Sequence, residues 1–197
     1  MTPLLINPPA DPLTPSNVAD LARDCHNDSV SKGWWEPLGD ATQEAAREAM
    51  RADLIGSEVG EALDALRRPE RLLAYLDDKG KPDGYLVEVA DVAIRALDLL
   101  GRLDRIYGDS VDLEARATDG KRAAGLLINR RWQHAVWSNV VLLSGFGGPE
   151  VDANRLACIV YLCEIEATNH NADLLHLITL KRDFNRTRPT RHGGLSL

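Results

Sequence analysis

The stretch "VEVADVAIRALDLL", Val87 to Leu100, decides how this chain folds. Its apolar residues cover most of the circumference of a helix, the pattern of a rod buried inside a bundle. The exceptions gather on one side. At roughly 100° per residue, Glu88, Asp91, Arg95, Asp98 and Arg102 fall within an arc of roughly 80°. Upstream, "SEVGEALDAL", Ser57 to Leu66, sets Glu58 and Glu61 three residues apart and hence on one helical face. Glu61 continues the apolar stripe of Met50 and Leu54.

Outward from the central helix, about Tyr85 to Leu103, the breakers set the other boundaries. Thr14 is a plausible N-cap with Pro15 at the first helical position, opening a helix that runs to about Ser31. "KGWWEPLGD" reads as a loop, and a second helix starts near Asp40 or Thr42 and ends about Arg67, stopped by Pro69. "RPERLLAYLDDKGKPDG" reads as a short helical turn and a Gly/Pro loop. Beyond the central helix, one helix is expected to about Ser144, broken near Gly120; Pro149 opens another over "PEVDANRLACIVYLCEIEATN". A last helix covers about Ala172 to Thr187 and stops at Pro189. No alternating β pattern of useful length is present. The expectation is an all-α helical bundle in a single domain over residues 1–197, with a Pro-rich arm at 1–13 and an interposed helical segment at 113–171.

Composition narrows the function classes. Apolar residues make up 44% and charged residues 27% of the 197, an ordinary balance for a folded domain. A formal net charge of −7 argues against nucleic acid as a partner, because phosphate backbones attract basic surfaces. Small anionic ligands stay open, since a bound cation can hold them. Cys25, Cys158 and Cys163 are odd in number and lack CxxC spacing, which points to a reducing cytoplasm rather than a disulfide framework or a zinc knuckle. "MTPLLINPPADPLTP" reads as an extended arm, neither signal peptide nor membrane anchor.

Two readings of the four carboxylates stand side by side. Glu88 to Arg102 could be the wet face of the central helix, laced by i, i+4 pairs such as Asp91 with Arg95. Alternatively, Glu58, Glu61, Glu88 and Asp91 face one another across a gap between antiparallel helices. At about 5 Å and an effective dielectric near 20, each ionised pair would repel by roughly 3 kcal/mol, so a cation or protons must sit among them. Oxygen-only ligands suit Mg²⁺ or Mn²⁺, and the absence of Glu-x-x-His argues against di-iron.

Together with "HNDSVSKGWW", His26 to Trp35, and "KRDFNRTRPTRHGG", Lys181 to Gly194, these motifs resemble the MazG-like all-α nucleoside triphosphate pyrophosphohydrolases, especially the phage-type forms. That family carries Glu-x-x-Glu on one helix and Glu-x-x-Asp on the next. The resemblance spans about the first hundred residues and the last twenty. It implies a bundle of that type, with Glu58, Glu61, Glu88 and Asp91 as Mg²⁺ ligands and catalytic groups. It also implies cleavage of a nucleoside triphosphate, deoxy forms first, between the α- and β-phosphates, and a homodimer or homotetramer. Lys181 and Asn185, four apart, would contact phosphates, with Arg188 beside them. Many members carry a further Glu directly before the first pair, where this chain has Ser57, and compact members lack a segment like 113–171.

Lys32 is a further phosphate candidate. Trp34 and Trp35 can offer a stacking face to a base or plug the core, and either can do either. His26 and Asn27 can hydrogen-bond a base or sugar, or belong to the helix surface. Arg191 and His192 read more simply as a basic tail. Glu166 and His170 read as a surface pair, Trp132, His134 and Trp137 as packing, and "GFGGPE" fails as a phosphate loop. A phosphoribosyl-ATP or modified-nucleotide hydrolase is the alternative within the fold. Outside it stand a catalytically silent module that binds a nucleotide or protein, and a purely structural bundle.

Overall fold

Side-chain caps mark the starts of several helices. In the computed structural model, which describes residues 2–4, 8, 11–37, 39–68, 73–128, 131–143 and 148–190, Thr14 closes a capping box with Asn17 and opens α1, Pro15–Ser31. Asp40 accepts from the Gln43 N–H at the head of α2, Ala41–Leu66. The central helix α3, Tyr85–Tyr107, runs one turn past its expected end. Then come α4, Leu113–Leu127, α5, Trp132–Leu143, α6, Pro149–Asn169, and α7, Leu174–Thr187, the last capped by Asp173. The fold is all-α.

Two expectations need correction. The single helix to about Ser144 is two, and the break lies after Leu127 rather than at Gly120. Gly120 is instead a contact point: a Cβ there would stand 2.6 Å from the Ala157 Cβ, so the glycine lets α4 lie close against α6. The loop between α2 and α3 holds two short strands, β2, Tyr75–Leu76, and β3, Pro82–Asp83, which pair with each other. β1, Thr2–Pro3 of the N-terminal arm, adds to β2 to complete a small antiparallel sheet. Two-residue strands are too short to leave an alternating signature. Of the expected helical turn, residues 69–72 lie outside the described part, as do Gly145–Gly147, Arg191 and His192.

α3 is the axis. It packs against α1, α2, α6 and α7. Leu86, Val89, Ala90, Val92, Ala93, Ala96, Leu97 and Leu100 are all without solvent exposure. Such all-round burial explains the all-round apolar pattern, each large side chain contributing roughly 1.5–3 kcal/mol. Ion pairs fix the directions: Glu58 meets Arg95 and Glu48 meets Arg102, so α2 runs antiparallel to α3. Arg23 meets Asp104 and His26 meets Asp98, so α1 does too. At Gly101 the approach is closest, where a Cβ would lie 2.2 Å from the Ala22 carbonyl oxygen. The interposed segment completes the bundle, α6 covering a flank of α3. No helix among the described residues is long and apolar enough to cross a membrane.

Candidate functional site

The acidic stripe of α3 is not a wet face. Glu88 and Asp98 are buried, and Asp91, Arg95 and Arg102 are half-buried beneath neighbouring helices. One carboxylate oxygen from each of Glu58, Glu88 and Asp91 lies within 4.8 Å of the others. In an octahedral Mg²⁺ shell with bonds of about 2.1 Å, ligand oxygens lie about 3–4 Å apart, so small side-chain movements would bring the trio onto one ion. Glu61 does not join them. It is exposed and lines the rim of the same cleft, a cavity of about 210 Å³ between α1, α2, α3 and α7.

Two basic side chains reach into the trio. Arg95 Nε donates to Glu58 Oε1 at 3.0 Å, across to α2 rather than back along its own helix to Asp91. Lys181, buried on α7, sets Nζ 2.5 Å from Asp91 Oδ2. Glu88 receives no hydrogen bond from a described residue. Burial first, then the charges of Asp91, Glu58 and Glu61, raises its carboxyl to about 7, with Lys181 only partly offsetting them. Glu58 is also pushed up by burial, with Arg95 opposing. For Lys181, burial disfavours the charge, but Asp91, Glu88 and Glu58 outweigh it and hold the ammonium protonated.

Asn185, on α7, and Arg188, just past its end, line one wall of the cleft. Lys32 lines it too, yet its Nζ donates to the carbonyls of Arg186 and Arg188 at 2.7 and 2.6 Å. It closes the C-terminus of α7, a favourable place for a cation, rather than standing open to phosphate.

The tryptophans divide their tasks. Trp34 is half-buried and lines the cleft, while the Arg51 guanidinium lies 5.2 Å from the ring centroid. Trp35 is a core residue whose Nε1 donates to Asp98 Oδ1 at 2.8 Å. His26 is corrected as a base or sugar contact: it is buried, with Nδ1 3.0 Å from Asp98 Oδ1 and its ring against Trp35. Asn27 is corrected as well. The cleft meets α1 at Cys25, Asp28, Ser29 and Lys32, a stripe at helical spacing, and Asn27 points to the other side, exposed.

Sequence reasoning missed Arg95 as a partner of Glu58, Lys81 beside Glu61 and Glu88, and Asp98 as a hub. Arg95 and Asp98 were visible as members of the α3 stripe; Lys81, in a loop, carried no periodic signal. Cys25 borders the cleft, but burial pushes its thiol up to about 12, which removes it as a nucleophile. Glu166 does pair with His170, at 3.3 Å, and also accepts from the Tyr85 hydroxyl. The chain matches no protein-family model, no curated protein and no solved structure.

Proposed function

We propose that this protein is a Mg²⁺-dependent nucleoside triphosphate pyrophosphohydrolase, cutting (d)NTP between the α- and β-phosphates. The observation that carries the reading is the convergence of Glu58, Glu88 and Asp91 in a cleft lined by Lys181 and Asn185 of α7 and by Arg188 just past its end. The donor set fits the ion: oxygen ligands only, one of them, Glu88, lacking any described hydrogen-bond donor. Held there, Mg²⁺ or Mn²⁺ would neutralise polyphosphate charge and acidify a coordinated water.

The chain's own groups do the rest. Glu61, outside the trio and open to solvent, is left to take a proton from the attacking water. The water oxygen bonds to one phosphorus of the α–β anhydride and the bridging P–O bond breaks. Its electron pair leaves with the other phosphate, giving a nucleoside monophosphate and pyrophosphate. Lys181, Asn185 and Arg188 meet the charge that develops on the leaving group. Trp34 offers its face to the base, backed by Arg51. A homodimer or homotetramer follows from the same family resemblance.

One observation favours a second reading. The Glu58–Arg95 and Asp91–Lys181 pairs engage two of the three carboxylates, as in a catalytically silent nucleotide- or protein-binding module. Incubation with each common and deoxy nucleotide plus Mg²⁺, with the products resolved by chromatography, separates the two. Monophosphate and pyrophosphate should form, and Asp91→Asn should lower the rate by roughly a thousandfold, the several kcal/mol a metal supplies. Nucleotide binding without turnover across the panel would favour the silent module.

A further inference from the structure

We propose that Arg95 and Lys181 are built-in counter-ions that exclude a bare divalent cation and admit it together with polyphosphate; this rests on the metal-centre reading above. Arg95 Nε sits 3.0 Å from Glu58 and Lys181 Nζ 2.5 Å from Asp91. Each therefore occupies a carboxylate that the ion needs. An ion arriving alone must compete with both cations for these carboxylates and sit with its double positive charge beside the two side-chain charges.

The cost falls chiefly on Lys181. Its side chain is only 5% exposed, so water cannot take over its charge once Asp91 is lost. Arg95, with 31% exposed, can be partly resolvated. An anion entering with the metal removes the difficulty. Both side chains line the same cleft as Asn185 and Trp34, so on release they can turn to phosphate oxygens without leaving it. Charge balance selects the anion: a polyphosphate brings enough negative charge to pair with two cations and to ligate the metal as well. Metal and polyphosphate then strengthen each other's binding by the same factor, as linkage requires. Glu88, free of either pair, is the ion's first foothold.

Isothermal titration calorimetry on the full chain tests this, with bare Mg²⁺ and with preformed Mg²⁺–tripolyphosphate, folding being checked by circular dichroism. The wild type should bind the complex roughly tenfold or more tighter than the bare ion. Arg95→Gln and Lys181→Met should reverse that order, tightening bare Mg²⁺ by roughly tenfold and weakening the complex. Should Lys181→Met fail to fold, the more exposed Arg95→Gln carries the test. Equal binding of bare ion and complex by the wild type, or variants with unchanged bare-ion affinity, would overturn the counter-ion role and leave the metal centre standing. Neither probe binding to wild type or variants would remove both.

Discussion

Asp98 and Glu88 sit on the same helix and the same stripe, both buried, yet their surroundings are opposite. The Asp98 carboxylate accepts from Ser29 Oγ at 2.7 Å and Trp35 Nε1 at 2.8 Å, has His26 Nδ1 at 3.0 Å, and has Arg51 at 3.8 Å. Four groups from α1, α2 and the loop after α1 converge on it. Glu88 has the Glu58 and Asp91 carboxylates close by, with Lys181 and Lys81 near but no hydrogen-bond donor to it among the described residues. A saturated carboxylate is an anchor; a starved one is poised for a cation. Arg51 ties the two regions together, since its Nη2 also donates to the Trp34 carbonyl at 2.9 Å and so sets the wall of the cleft.

The largest expected effect tests the anchor. Asp98→Ala leaves Arg51 and three donors facing a void, and urea unfolding should show a loss of about 3–5 kcal/mol. Asp98→Asn, which keeps the shape, should recover part of it. If Asp98→Ala were as stable as the wild type, the hub would not be an anchor.

Glu88 should behave with the opposite sign. The folded, metal-free protein holds this proton up to about pH 7, whereas the unfolded chain releases it near 4.5. Between those values the folded state binds more protons, so stability falls as pH rises and the loss is complete above 7. That amounts to about 3 kcal/mol. Glu88→Gln should therefore raise metal-free stability at pH 8 by up to that amount, flatten the profile between pH 5 and 7, and abolish the rise in Tm on adding Mg²⁺ with a non-hydrolysable nucleotide. A variant less stable than the wild type at pH 8 would make Glu88 another anchor.

Smallest is the effect of Trp34→Ala, and set beside Trp35 it sharpens the same contrast. Trp34→Ala should weaken nucleotide binding by about 1–3 kcal/mol while unfolding changes little. Trp35→Ala should do the reverse, costing about 3–5 kcal/mol of stability. Fluorescence titration and thermal melts read the two effects separately.

The sequence carried the helices because their signals are local. Thr14, Pro15, Asp40 and Pro149 each act within one turn, and the all-round apolar character of α3 states its burial directly. The split between α4 and α5 was hidden because Gly120, the most visible breaker, serves packing instead. The pairing of Glu58 with Glu88 and Asp91 was legible as two i, i+3 motifs on adjacent helices. What periodicity could not say is which members of one stripe would be saturated. Asp98 and Glu88 share a face, and only the tertiary arrival of Ser29, His26 and Trp35 makes one a saturated anchor and leaves the other without a donor. The same holds for the tryptophans, adjacent in the chain and divided by which one reaches Asp98.

Anomalous diffraction from crystals grown with Mn²⁺ and a non-hydrolysable nucleoside triphosphate addresses the centre itself. The account predicts a peak about 2.1 Å from carboxylate oxygens of Glu58, Glu88 and Asp91, with Lys181 turned from Asp91 to a phosphate oxygen. No peak there, with Glu58 still on Arg95 and Asp91 still on Lys181, would contradict it.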